Sequence, residues 1–429
     1  MIPYQKMTKE ELLKEQAVLQ SAYKEFQGRG LKLDMSRGKP APNQLDLSMG
    51  MLDVLTSQDV LACEDGLDAR NYGLLDGIPE AKELYAEILE VSPDEVIIGG
   101  NSSLNMMYDT IVRAMQFGFV DSPRPWKDEK TVKCLCPVPG YDRHFAISEL
   151  FGIEMINVPM TPAGPDMDLV EKLAAEDESI KFIWCVPMYS NPQGITYSDE
   201  TVARFASMKT AAPDFKIIWD NAYCVHHLTD TPDRLMNLME ACKKQGTEDR
   251  VFIFASMSKI SFPGAGIAAM AATKHNLDFV KQQMSIQTIG FDKIKQLRHV
   301  KYFKNIDGVK AHMQKHREIL EPKFNAVLKK LDEEIKPLEI AEWHAPNGGY
   351  FISLDTMDGC AKRVVGLCKE AGAVMTGAGA TYPYGKDPRD RNIRIAPTYP
   401  SVSELDQAME LFCLCVRLAS VEKLLSEMN

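Results

Sequence analysis

The sequence predicts an α/β fold: a large domain with a mostly parallel central sheet flanked by helices, and a smaller α+β domain built from both chain ends. Three observations predict it. Short apolar runs alternate with amphipathic segments from about residue 96 to 271, the pattern of strands and helices packed with both sheet faces covered. The two ends of the chain read instead as long helices, with a short α+β region at 348–396. At 429 residues, two or more domains are the default.

The first helix spans residues 8–26, where Thr8 can cap it and Glu11, three residues on, completes a capping box. Gly28-Arg29-Gly30 ends it, and an extended arm follows at 31–42. A Gly-rich loop around Tyr72 covers 66–79, ahead of a helix at 79–89. Strands are expected at 96–98, 131–136, 154–158, 182–186, 216–219, 251–255 and 266–271. Helices between them include 104–117, 141–151, 167–175 and 199–210. From about residue 293 the chain is helical again, with a long helix at 312–334. A strand at 348–354, a helix at 360–371, a strand at 392–396 and a last helix at 403–428 complete the chain. This places residues 1–50 and 311–429 in the small domain and 51–310 in the large one. Neither internal repeats nor low-complexity segments interrupt the pattern.

Composition narrows the function classes. The net charge of −11 opposes broad attraction to nucleic acid or anionic membrane. The ten cysteines include no C-x-x-C pair, which favours buried free thiols in a reducing compartment. The first residues lack an apolar signal core, and no run approaches the roughly 20 apolar residues of a membrane span. A cytoplasmic protein without nucleic-acid or membrane partners, and without a metal, is expected.

The chemistry gathers at the ends of the expected strands, where α/β sheets place ligands. Lys259 lies in Ser256-Met257-Ser258-Lys259, just after a strand, with two hydroxyls able to bind phosphate oxygens. Asp220 ends the run Lys216–Trp219 and can pair with a protonated ring nitrogen; alone, it reads equally as a helix cap. Tyr223, three residues on, can hydrogen-bond a phenolic oxygen. Asn191, in Tyr189-Ser190-Asn191-Pro192-Gln193-Gly194, can donate to the same oxygen from a turn that aims its amide. Gly99-Gly100-Asn101-Ser102-Ser103 opens a helix and can cradle an anion. Tyr141 can stack on an aromatic ring and His144 can orient Asp220. Arg394 sits in an otherwise apolar strand and needs an anionic partner, either a substrate carboxylate or an internal acid. A lysine preceded by these groups in this order suggests pyridoxal 5′-phosphate (PLP), whose aldehyde condenses with the amine and whose ring acts as an electron sink.

As a set, these residues resemble the fold-type I PLP aminotransferases of the aspartate aminotransferase superfamily, over nearly the whole chain. The resemblance implies that Lys259 carries the cofactor and acts as base, and that Asp220 pairs with the ring nitrogen. Asn191 and Tyr223 hold the phenolic oxygen, and Tyr141 stacks where the family often has Trp. Asn101, Ser102, Ser103, Ser256 and Ser258 bind phosphate. Arg394 binds the α-carboxylate, with Gly38, Arg37, Asn191 and Tyr141 beside the substrate. Tyr72 resembles the tyrosine that reaches the neighbouring subunit's phosphate, which implies a homodimer. The arm Met35-Ser36-Arg37-Gly38-Lys39-Pro40 and the run Phe262-Pro263-Gly264-Ala265-Gly266 resemble a divergent bacterial branch. That branch groups with MocR-type effector domains and includes aspartate aminotransferases. Most of the superfamily has an arginine where Gly266 stands, and Arg37 and Lys39 are candidates to replace its charge. The implied reaction passes an amino group from L-aspartate to 2-oxoglutarate. A transaminase of aromatic, alanine or 2-aminoadipate specificity, or a PLP-binding amino-acid sensor, is the alternative. A dicarboxylic substrate needs a second cation, with Arg37, Lys39, Lys293 and Arg298 as candidates.

Overall fold

The computed structural model describes residues 2–428. Its centre is an eight-stranded sheet, with strands here numbered in chain order: β1 (Val96–Ile98), β2 (Lys133–Val138), β3 (Glu154–Thr161), β4 (Gly164–Pro165), β5 (Ile180–Cys185), β6 (Lys216–Asp220), β7 (Val251–Ser256) and β8 (Ala268–Ala271). Their spatial order is β1-β8-β7-β6-β5-β2-β3-β4. The run from β3 through β2, β5 and β6 to β7 is parallel, and β8 is antiparallel to both β7 and β1.

Alternation explains why these strands read as apolar throughout. Successive side chains point to opposite faces, and both faces are buried. Ile217 and Trp219 enter one core, while Ile218 enters the other with Phe182 and Trp184. The two buried lysines within these strands are neutralised locally: Lys216 Nζ donates to both oxygens of Asp121, and Lys181 Nζ lies 3.0 Å from Asp214 Oδ1.

A third core joins the two ends of the chain. Leu12, Leu19 and Phe26 from the helix Lys9–Gly28 pack with Leu405, Phe412 and Val416 from the helix Val402–Glu427. Two small sheets belong to this region: Leu33–Met35 beside Ala373–Met375, and Ala341–Trp343, Ile352–Thr356 and Asn392–Ile395 together. The long helix Ile306–Glu334 spans two cores, with Val309 and Met313 under the large sheet and Leu320 onward among the terminal helices.

Several expected boundaries move. The strand expected at 131–136 is Lys133–Val138. Pro137 does not stop it, because pairing with β5 ends at Leu135 and the missing N–H falls beyond that ladder. The strand expected from Gly266 begins at Ala268. The helix expected from residue 312 starts at Ile306, where the Asn305 side chain accepts from Gly308 N. The helix expected at 199–210 stops at Ser207, where Met208 turns extended. All ten cysteines are free thiols, and nine are buried. No helix among the described residues is long and apolar enough to cross a membrane.

Candidate active site

The carboxyl ends of the parallel strands and of β1 converge on one cavity of about 150 Å³. β6 delivers Asp220 and then Tyr223; β7 delivers Ser256, Ser258 and Lys259; the turn after β1 delivers Ser102 and Ser103; the turn after β2 delivers Tyr141. Asn191 follows β5 by six residues and lines the same cavity.

Half-buried Lys259 differs from the buried lysines Lys181, Lys216, Lys293 and Lys323. Its amine makes no ion pair or hydrogen bond among the described residues, and lies 5.0 Å from the Tyr223 ring centre. Burial pushes its pKa down, Asp220 pulls it back up, and Arg394 adds to the depression. A larger neutral fraction makes the amine a better nucleophile and base. Asp220 is held from one side only. His144 Nε2 lies 3.1 Å from its Oδ2, while buried Oδ1 has no partner among the described residues. The His144 ring is itself fixed, stacked on Trp184 at 4.3 Å. An unpaired carboxylate oxygen in a buried cavity calls for a cationic or N–H partner.

The hydroxyls form a second group. Ser256 Oγ donates to Ser258 Oγ at 3.0 Å, and Ser258 Oγ donates to the Asn101 carbonyl at 3.2 Å. The Asn101 amide turns away to the Pro263 carbonyl. Ser102 caps the helix Ser103–Phe117, so hydroxyls and a helix N-terminus face one space. Burial pushes the Tyr223 hydroxyl pKa well up, and its ring packs against Tyr350.

A second cavity, of about 430 Å³, shares Tyr141, Asn191, Tyr223 and Lys259 with the first and opens past Arg394 to Arg37 and Gly38. Gly38 has no room for a side chain, since a Cβ there would clash with the edge of the Phe351 ring. Arg394 Nη1 donates to Asp142 Oδ1 at 2.9 Å and to Asn191 Oδ1 at 3.2 Å.

Some candidates lie elsewhere. Tyr72 is 77% exposed and lines neither cavity. Lys39 Nζ sits 3.9 Å over the Tyr399 ring, and Lys293 Nζ donates to the Gly73 carbonyl. Arg298 lines neither cavity, so Arg37 alone of the four distal-cation candidates reaches the larger one. Neither Arg37 nor Lys39 lines the smaller, serine-lined cavity, where Lys259 is the one cation. At Gly266 a Cβ would crowd the Phe262 carbonyl at 3.0 Å.

Sequence reading passed over two sets of residues. Arg143 lines the larger cavity; it stood inside the run containing Tyr141 and His144. Behind Lys259, the Ile260 carbonyl lies 2.9 Å from His312 Nε2 and 3.1 Å from His316 Nε2. Gln44 Oε1 accepts from Ala41 N–H, so its Nε2 donates to His316 Nδ1 and to the Tyr350 hydroxyl. His316 therefore carries its proton on Nε2, aimed at the Ile260 carbonyl. Only the i, i+4 spacing of His312 and His316 hinted at this cluster.

The fold and this cavity define an aminotransferase of fold type I. The chain belongs to the family described as aspartate amino-transferase, whose sequence profile matches residues 7–428. It is 45% identical over 400 residues to an aspartate aminotransferase of Corynebacterium glutamicum, covering 93% of this chain and 92% of the relative. The crystal structure of an aspartate transaminase from the same organism superposes with a TM-score of 0.96 at 43% identity, covering 98% of this chain and 99% of that one. LysN, an α-aminoadipate aminotransferase of Thermus thermophilus, superposes with a TM-score of 0.72 at 20% identity, over 93% and 94% of the two chains, a likeness that speaks for the fold. Family membership implies PLP, and the residues present fit it. The free Oδ1 of Asp220 can meet a protonated ring nitrogen, the hydroxyls can meet a phosphate, and the unpaired amine of Lys259 can meet an aldehyde.

Proposed function

We propose that this chain is an aspartate aminotransferase, which moves the amino group of L-aspartate to 2-oxoglutarate in two half-reactions of a ping-pong cycle. The observation that carries the reading is Arg394: a buried guanidinium lining the same cavity as the unpaired Lys259 amine. An arginine there gives a substrate α-carboxylate a bidentate partner within reach of the reactive amine. The 45% identity to a named aspartate aminotransferase supports the choice of amino donor.

In this reading Lys259, Asp220, Tyr223, Asn191, Tyr141 and His144 hold the PLP ring, and Ser102, Ser103, Ser256 and Ser258 hold its phosphate, while Asn101, its amide tied to Pro263, serves by fixing the Ser258 hydroxyl through its carbonyl. Bound PLP supplies the electron sink that makes the substrate Cα–H acidic. Asp220 keeps the ring nitrogen protonated, and His144 keeps Asp220 in place. Lys259 Nζ takes the Cα proton and hands it on, helped by the depressed pKa that burial gives it. Arg394 fixes the α-carboxylate, which orients the Cα–H bond toward the amine. Gly38 and Arg37 border the substrate. Tyr72, exposed at the surface, is a candidate for contact with a second copy, giving a cytoplasmic homodimer with shared sites.

The test is the visible absorbance spectrum of the PLP-loaded protein, before and after L-aspartate alone. Loss of the band of lysine-bound cofactor, restored by 2-oxoglutarate, is the expected result. A band that aspartate leaves unchanged moves the reading to another amino donor or to a sensor. No band after reconstitution removes Lys259 from its role.

A further inference from the structure

The guanidinium assigned to the substrate's α-carboxylate already holds a carboxylate. Arg394 is 7% exposed, and its Nη1 donates to Asp142 Oδ1 at 2.9 Å, whereas the Asp142 side chain is 37% exposed. Arg394 Nε is buried and has no partner among the described residues. The asymmetry matters. Arg394 cannot leave the cavity, and a buried cation stripped of its counter-ion costs several kcal/mol. Asp142 can swing out to water at little cost. One carboxylate can thus be traded for another without leaving the arginine bare.

The next residue is a cation of the opposite kind. Arg143 is exposed, lines the same cavity of about 430 Å³, and has no ion pair or hydrogen bond among the described residues. Both residues open the helix Asp142–Leu150. Neighbours on a helix diverge by about 100°, and no ion pair joins Asp142 to Arg143 among the described residues, since Asp142 is paired with Arg394. Arg143 lines this cavity beside Tyr141, whose hydroxyl pKa burial, Asp220 and Asp142 push up and the charges of Arg143 and Arg394 pull partly back. Arg37, the other unpaired cation at the opening, sits near Asp34, whose carboxyl pKa is raised by burial but lowered more by Ser36, Lys39 and Arg37 together.

Resting on the aspartate reading above, we propose that the first turn of this helix is a carboxylate exchanger. Asp142 neutralises Arg394 until a substrate's α-carboxylate displaces it, and Arg143 receives the second carboxylate. Dicarboxylic substrates are then selected by one residue of the turn, and every substrate competes with the other. The step is an exchange of ion pairs with no bond made or broken.

The test measures dissociation constants of two unreactive acids, succinate and butyrate, by calorimetry on the PLP-loaded enzyme. Arg143→Gln should weaken succinate roughly 10- to 50-fold, the worth of a charge-assisted hydrogen bond, and leave butyrate within about twofold. Arg143→Lys should recover part of the loss. Asp142→Asn should tighten both acids, by about fivefold, because the resident competitor has lost its charge. A merely structural role for either residue would move both acids together and in the weakening direction. Succinate preference that survives Arg143→Gln, or passes instead to Arg37→Gln, overturns the assignment of Arg143 while keeping the aspartate reading. Weaker butyrate binding in Asp142→Asn overturns the exchange. Equal affinity of the unaltered enzyme for both acids overturns this proposal and the dicarboxylate reading together.

Discussion

Behind Lys259 most polar atoms are paired and burial disfavours charge on the imidazoles, although the two ring nitrogens of His226 lack a hydrogen-bond partner among the described residues; around Arg37 and Arg143 the charges are present and unpaired. In the first region, Gln44, His312, His316 and Tyr350 form a closed network on the Ile260 carbonyl, one residue beyond the lysine. Burial pushes the His316 and His299 pKa values down to about 4, so both imidazoles stay uncharged near neutral pH. In the second region, the cations are exposed and lack internal partners among the described residues. The difference separates two tasks. A reactive amine must be held in one place by groups that add no charge of their own, because pre-organisation is what makes its proton transfer fast. A substrate-recruiting cation must stay free until an anion arrives.

The sharpest way to break the comparison is at Lys259. Lys259→Ala should lower turnover by roughly four orders of magnitude or more and remove the absorbance band of lysine-bound PLP. Residual turnover near the unaltered rate would move the chemistry elsewhere in the cavity. Asp220→Asn should cost less, about 100- to 1,000-fold in kcat, the scale of one lost electrostatic partner in a dry site. A loss under tenfold would mean that the free Oδ1 of Asp220 meets nothing charged.

What could be read in advance follows the same division. Asp220 ends a strand, and Lys259, Asn191 and Tyr141 follow strands within a few residues; parallel strands announce themselves as apolar runs, so the chemistry at their ends is locally marked. The capping box of Thr8 and Glu11 was equally local, and Glu11 Oε2 accepts from Thr8 N at 2.7 Å. The pairing of Leu33–Met35 with Ala373–Met375 was not legible, because three-residue strands more than 300 residues apart carry no periodicity. The network of Gln44, His316 and Tyr350 escaped for the same reason: its members are far apart in sequence and each is ordinary alone. Arg143 escaped differently. Its neighbours were weighed for their chemistry, while an exposed arginine in a helix's first turn reads as a solvated residue.

The neutral network predicts a middle-sized effect. Gln44→Leu orphans the Ala41 N–H, His316 Nδ1 and one contact of the Tyr350 hydroxyl, at about 1–3 kcal/mol for each group left unsatisfied. The pH dependence has a definite sign. His316 and His299 have folded values near 4, below the ordinary 6.5, so the unfolded chain takes up protons first as pH falls. Their contribution to stability is present in full above about pH 6.5 and declines as the pH drops toward 4. Melting temperatures measured across that window should fall, and His316→Gln should flatten the slope. A variant with the unaltered slope would place the acid sensitivity in other groups.

The smallest effect is expected at the mouth, and it completes the contrast. Arg143→Gln and Arg37→Gln remove charges that no internal acid pairs with, so the melting temperature should move by no more than about 1 °C. The shift from Arg143→Gln should be neutral or slightly upward, since a cation in the first turn of the helix Asp142–Leu150 opposes the helix dipole. Thermal melting of the PLP-loaded variants beside Gln44→Leu reads this directly. A clear drop on losing either arginine would mean that the fold itself uses the charge, and the mouth would then be built on the same principle as the floor. Stability unchanged alongside weakened binding of a dicarboxylate is the pattern of a cation kept for substrate. It would show that the energy spent fixing Lys259 and the freedom left to Arg143 are two parts of one design.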